Sequence, residues 1–246
     1  DTDTLSHLNK HFKNEKIGLV DTNMNNKGLK KEGISYQEKA YISREVNIKN
    51  MEGRLWGTMM GPFGGCYAIR KEDYSLVPSN YLVDDFYINM RIFEKKKLAI
   101  NDLNARVFED VSNNLKDEFR RKTRIATGNM QNLRTFSHLL SYKHVGFCFL
   151  SHKVLRWFGP FFIILSLLSS ILLIPLHNIY LLAFLGQCAL MLIPLIDFLL
   201  KKLGVHIPYL RLVTHFYAMN LALFIGFFRS FSKISSGTWH RTERNQ

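Results

Sequence analysis

Apolar runs differ in length and in how often charge interrupts them along this chain, and that change divides it. Over the first 135 residues the apolar runs are short and interrupted by charge. A short helix is expected over residues 5–12, with His7 and His11 four apart on one face, and a strand over 17–20. Residues 23–33 are polar and contain two glycines, which predicts a loop. Residues 34–51 carry Tyr36, Ala40, Tyr41, Val46 and Ile48 among charges, the pattern of a long amphipathic helix covering one side of a sheet. Glycines at 53, 57, 61, 64 and 65 mark turns before a short buried strand over 66–69. After the break at Pro78-Ser79-Asn80, a helix is expected over 81–93 with Asp84 and Asp85 in its first turn, then edge strands over 98–100 and 105–108. Residues 117–140 form a further periodic helix. Its projection gathers Phe119, Ala126, Met130 and Leu133 on one side and Arg120, Arg121 and Arg124 on another arc.

From Trp157 to Leu200 there is no Lys or Arg and a single acid, Asp197, which is a membrane signal. Two spans are expected, over 157–176 and 179–200, joined by a turn at His177-Asn178 and preceded by a basic, apolar interfacial segment. A third uncharged run over 212–228 is short for a crossing. Three crossings would also put Lys201-Lys202 and the basic tail on opposite faces, against the usual placement of positive charge, so either the third run is interfacial or re-entrant or that rule fails here. The organisation expected is therefore an α/β domain over 1–135, an interfacial segment over 136–156, membrane helices over 157–230 and a basic tail over 231–246.

The net charge of +13 changes this picture little. Nucleic acid binding would explain it, but no interleaving of aromatic and basic residues and no recognition motif accompanies it, so anionic lipid and a phosphate-bearing substrate are the expected partners. Cys66, Cys148 and Cys188 are isolated, which argues against a disulfide framework or a zinc site and fits a reducing cytosolic face.

Candidate chemistry concentrates between residues 61 and 124. Asp84-Asp85 can take a proton from a hydroxyl, and equally suit the start of a helix. Gly64-Gly65-Cys66 can let backbone approach a ligand, or form a plain hairpin turn. The Arg120, Arg121 and Arg124 arc suits phosphate, or a solvated or headgroup-facing stripe. Asp1 and Asp3, one residue apart, can share a hard divalent cation, and are also what a solvated chain end carries.

These residues, in this order and ahead of membrane helices, resemble the membrane-bound inverting glycosyltransferases of family 2, which include cellulose, hyaluronan and poly-N-acetylglucosamine synthases. The likeness runs from Glu38 to Leu133 through FGGCYAIRKEDY, the DDF triplet and EFRRKTRIATGNMQNL. It continues loosely through SHKVLRWFGP and the W-x-R-T-x-R of Trp239 to Arg244. The resemblance implies a partial GT-A-like domain on the cytosolic side of an inner or plasma membrane, belonging to the C-terminal part of a longer enzyme in polysaccharide biosynthesis. It implies Asp85 as base with Asp84 its partner, Asp1 and Asp3 as the D-x-D that holds Mg²⁺ or Mn²⁺, and a UDP-linked sugar donor with a glycan or lipid acceptor. Arg121-Lys122-Thr123-Arg124-Ile125 stands where that family has Q-x-x-R-W, so Arg124 is the matched residue. Ile125 replaces the Trp that goes with polymer synthesis. Transfer of one sugar to a polyprenyl or other lipid, and a non-catalytic adaptor on anionic lipid, are the rival readings.

Overall fold

A computed structural model describes residues 1–28, 35–110, 114–205, 207–232 and 234. Residues 29–34, which hold the second half of the loop expected over 23–33, lie outside the described residues, as do the Trp239 to Arg244 motif and most of the expected tail. The described chain is mostly helical around one small mixed sheet. In order it forms α1 (Thr4–Asn9), β1 (Ile17–Lys27), α2 (Ser35–Trp56), β2 (Tyr67–Ile69), α3 (Asp84–Glu94), β3 (Leu98–Asp110) and α4 (Leu115–Phe136). The order in the sheet is β2-β1-β3, with β2 antiparallel and β3 parallel to β1. These three strands are the whole sheet among the described residues, which is less than a complete GT-A fold.

Strand alternation sends Leu19 and Val20 to opposite faces. Leu19 joins the main core with Met59, Met60, Phe86, Met90 and Ile92, and Val20 packs with Leu8, Ile17 and Ala105 under α1. The two edge segments expected over 98–100 and 105–108 are one strand. Asp21 pairs with Asn101 and Asn23 with Arg106, so the polar stretch between bulges out of the ladder without ending it. The Asp102 carboxylate stabilises that bulge by accepting the Asn104 amide at 2.8 Å and facing Lys10 and His11 at 2.8 and 2.7 Å. Residues 23–27, expected in a loop, extend β1 along the second half of β3. Gly53, expected at a turn, lies inside α2, where a Cβ would sit 3.1 Å from Ile100 Cα.

Helix α2 differs from its expected amphipathic form. Val46 is buried as expected, but the buried stripe is otherwise largely charged, with Glu38, Glu45, Lys49 and Glu52, and Tyr36 is exposed. Lys49 Nζ lies 2.6 Å from Asp21 Oδ2 on β1 with both side chains fully buried, donates to the Gly61 carbonyl at 2.9 Å and rests over the Phe63 ring. Glu45 and Glu52 receive the segment after α4. Here α5 (Lys143–Cys148) continues through residues Phe149–Val154 into α6 (Leu155–Trp157). His152 Nδ1 is 2.8 Å from Glu52, Arg156 donates to Glu45 at 2.7 Å, and Lys153 donates to the other oxygen of Glu45. Cys148, Phe149, Val154 and Trp157 are buried in the main core, so the segment expected to lie at the membrane interface is partly an element of the domain.

The hydrophobic half comprises α7 (Gly159–Leu173), α8 (Asn178–Lys202) and α9 (Pro208–Arg229). The first expected span does not start at Trp157: the helix axis turns by 62° between Trp157 and Gly159. Pro160 opens the first turn of α7, where a missing N–H costs nothing. Helices α8 and α9 are long and apolar enough to cross a membrane, and α5 to α7 qualifies only if the bent pair is taken as one span.

Removing one member of the Asp21–Lys49 pair leaves an uncompensated buried charge. Lys49→Met is expected to cost about 3–5 kcal/mol in urea unfolding, while the double variant Lys49→Met with Asp21→Leu recovers most of that loss. Equal destabilisation by the single and double variants would refute this account of the pair.

Candidate functional site

The site is built where α3, the turn after Gly61 and α4 converge. Gly61 has a φ of +74°, a conformation open to glycine at little cost. Its amide donates to Asn89 Oδ1 on α3 at 2.8 Å, and the Phe63 amide donates to Asp21 Oδ1 at 3.1 Å. The turn through Gly64 is thereby laid against the start of α3, where a Cβ on residue 64 would lie 2.8 Å from Asp85 Oδ2.

Helix α4 holds the segment that delivers the aspartate pair. Arg124 donates to the Leu82 carbonyl at 2.8 Å, Asn132 to that of Val83 at 3.1 Å and Gln131 to that of Asn80 at 3.0 Å, while Gln131 Oε1 accepts the Leu82 amide at 3.2 Å. Gly128 permits this approach, since a Cβ there would lie 3.0 Å from Leu82 Cβ and 3.1 Å from the Val83 amide nitrogen. Three polar side chains of one helix, through four hydrogen bonds, therefore fix residues 80–83, and with them the direction in which Asp84 and Asp85 leave the chain.

Asp85 is half-buried. Its pKa is raised to about 6, by burial first and by the charge of Asp84 second, against the Phe86 amide that it accepts at 2.6 Å and the charge of Lys49. A carboxylate poised there is ionised at neutral pH yet basic enough to take a proton from a hydroxyl. Tyr67 on β2 feels both carboxylates, and burial together with their charge pushes its phenol to about 12, so it stays a hydrogen-bond donor. Arg124 also lies within electrostatic reach of Asp85 and Asp84, and burial, then the neighbouring Arg121, lowers its pKa.

Of the expected site residues, the structure thus gathers Asp84, Asp85, Gly64 and Arg124. Cys66 follows on the same turn, with its carbonyl accepting from Thr22 Oγ1 at 2.7 Å. Gly65 faces Met24, whose Cε would lie 3.5 Å from an added Cβ. The expected arginine cluster does not share one cavity. Arg121 adjoins Arg124, but its guanidinium forks onto Glu118 at 2.7 and 2.9 Å. Arg120 is 70% exposed and 3.8 Å from Asp117. The acids that engage Arg121, Glu38 and Glu118, are buried, and burial of Glu38 is outweighed by Lys122, by its bond to His215 and by Arg121, so its pKa falls to about 2.

Asp1 and Asp3 are exposed at the start of α1. The Asp1 nitrogen lies 3.3 Å from the Arg106 carbonyl and the Thr4 hydroxyl donates to the same carbonyl at 2.7 Å, which sets this segment against β3. Among the described residues no three His, Cys, Asp or Glu side chains converge. Carboxylates are hard oxygen donors, the kind that Mg²⁺ and Mn²⁺ take.

Sequence reasoning missed Asp21, Lys49 and Tyr67. The signal available for Asp21 was an acid directly ending an apolar run. For Lys49 there was none, because burial of a lysine depends on its partner. No protein-family model matches the chain, and no curated protein is significantly similar to it.

Because the charge of Asp84 raises the Asp85 pKa, Asp84→Asn is expected to lower the Asp85 midpoint from about 6, read by carbon NMR of the side-chain carboxyl against pH. An unmoved or higher midpoint contradicts the coupling. Gly128→Val is expected to push residues 82–83 off α4 and disturb the amide signals of Asp84 and Asp85, whereas Gly186→Ala, with open space around it, leaves them in place.

Proposed function

We propose that this chain carries the acid–base and leaving-group side of an inverting glycosyltransferase that works at a membrane surface. The observation supporting it is the grouping of Asp85, with a pKa near 6, against the Gly64 turn and within reach of Arg124, on a domain that continues directly into α7 and α8. In this reading the acceptor hydroxyl approaches over the Gly64 turn and gives its proton to Asp85. The oxygen forms its bond to the anomeric carbon as the bond from that carbon to the nucleotide diphosphate breaks, and the electron pair leaves on the diphosphate. Inversion follows from attack opposite the leaving group. Arg124 lies on the side where negative charge develops, and Tyr67 offers a donor beside Asp85. Asp1 and Asp3 are the residues that would hold Mg²⁺ or Mn²⁺, and the ion would neutralise diphosphate charge when bound.

The donor class is a nucleotide sugar, and the acceptor is a glycan or lipid presented by the membrane helices. Ile125 in place of an aromatic residue favours transfer of a single sugar to a lipid such as a polyprenyl phosphate over processive synthesis. The products separate the two: one glycolipid supports single transfer, and a ladder of lengths supports polymerisation.

In the full-length protein in membranes, Asp85→Asn is expected to lower sugar transfer about 10²–10⁴-fold with donor binding retained. Arg124→Ala is expected to slow transfer as well, and the wild-type rate should fall on the acid side with a midpoint near pH 6. Transfer unchanged by Asp85→Asn from every accepted donor would refute the proposal.

A further inference from the structure

Helix α9 is apolar enough to cross a bilayer, yet it is tied at both ends to the sheet domain. Near its start, His215 Nε2 lies 2.8 Å from Glu38 Oε1 on α2. At its end, Arg134 on α4 donates to the Ser230 carbonyl and hydroxyl, each at 2.8 Å. Between these anchors α9 runs alongside α4 in the same chain direction. Ala222 is buried, and a Cβ on Gly226 would lie 2.8 Å from the Thr123 carbonyl and 3.0 Å from the Thr127 amide. A 22-residue helix is about 33 Å long, close to the thickness of a hydrocarbon core. If α9 crossed, α4 would have to cross beside it, carrying Glu118, Arg121, Lys122 and Arg124 through hydrocarbon.

We infer that α9 lies in the plane of the lipid surface on the side of the sheet domain, clamped between α4 and the base of the α7–α8 hairpin, and that this hairpin alone enters the bilayer, α7 completing its crossing through the apolar Ile174, Pro175 and Leu176 that follow it. Two apolar arcs of α9 flank the side that packs on Phe158 and Phe161 through Phe224 and Phe227: Tyr209, Leu212 and Phe216 are exposed along its first half and Leu221, Ile225 and Phe228 along its second, and these arcs supply the lipid contact. The flanking charge suits an anionic surface, with Lys201 and Lys202 before α9 and Arg229 at its end. A cavity of about 660 Å³ between the start of α4, the end of α8 and α9 sets Lys116 and Lys201 beside Phe119 and Leu115, two cations over an apolar floor as a phospholipid headgroup requires. Asp197 Oδ1, one turn before the end of α8, is 3.5 Å from Arg211 Nε in the first turn of α9, so the hairpin returns to the level at which α9 begins. Both basic ends of α9 then share one face, as the distribution of positive charge requires.

The inference rests on insertion of the α7–α8 hairpin and not on sugar chemistry. Its test is labelling of single cysteines by a membrane-impermeant maleimide in sealed vesicles of the full-length protein. Cys66 and Cys188 are changed to Ser, and Cys148 is kept because it is buried with its Sγ 3.2 Å from Thr58 Oγ1. Glu72→Cys reports the side of the sheet domain. The expected result is that Val205→Cys and Ser232→Cys label from the same side as Glu72→Cys, and Asn178→Cys from the opposite side alone. Any other pattern overturns the inference, most directly labelling of positions 205 and 232 from opposite sides. A spin label at Phe216→Cys is expected to sit at headgroup depth, and a bilayer-centre depth overturns it too. Neither readout needs turnover, so expected labelling together with a wild-type protein that transfers no sugar refutes the sugar-transfer proposal and leaves this one standing, and the converse also holds.

Discussion

The buried pair between Asp21 and Lys49 is the constraint on which the rest of the domain depends. Two charges without water are costly, and this pair is retained with every polar direction engaged. Lys49 meets Asp21, the Gly61 carbonyl and the Phe63 ring, and Asp21 accepts the Phe63 amide. One ion pair thus joins the central strand, helix α2 and the glycine turn. Since that turn lies against Asp85, the pair also sets how closely backbone approaches the proposed base, and both its charges act on the Asp85 pKa.

Helix α4 makes a second junction. Arg124, Gln131 and Asn132 hold the segment leading into Asp84-Asp85, with Gly128 allowing the approach, while Thr123, Ala126 and Thr127 receive α9. A displacement of α9 would therefore be felt at the aspartate pair through one rigid element. The acids of α2 form the matching junction on the other side. Glu45 and Glu52 take His152, Lys153 and Arg156, and Glu38 takes Lys122 and His215, so the hydrophobic half is bound to the domain by buried, satisfied charge as well as by apolar packing.

These junctions explain where sequence reading succeeded. The local elements were legible: the helix opening at Asp84-Asp85, the strand from Ile17, the periodic helix that became Leu115–Phe136 and the long apolar runs all carry their signal within a few neighbouring residues. The nearness of Asp85 to the Gly64 turn and Arg124 is by contrast a tertiary fact, made by α4 packing on the segment before α3. Lys49 and the acidic stripe of α2 were not legible. A charged residue reads as solvated until a partner from elsewhere in the chain makes burial tolerable. For the same reason Arg121 read as a phosphate contact, although Glu118 and Glu38 engage it.

What the sequence determined by itself, then, was the kind and rough extent of each element and the presence of membrane-grade hydrophobicity, because periodicity and apolar run length are local properties. Tertiary structure alone decided that β3 is one bulged strand, that the segment before α7 packs into the core and that α9 lies along α4. Each of these depends on pairing between residues tens to nearly two hundred positions apart, and free energy of that kind exists only once the chain has brought them together.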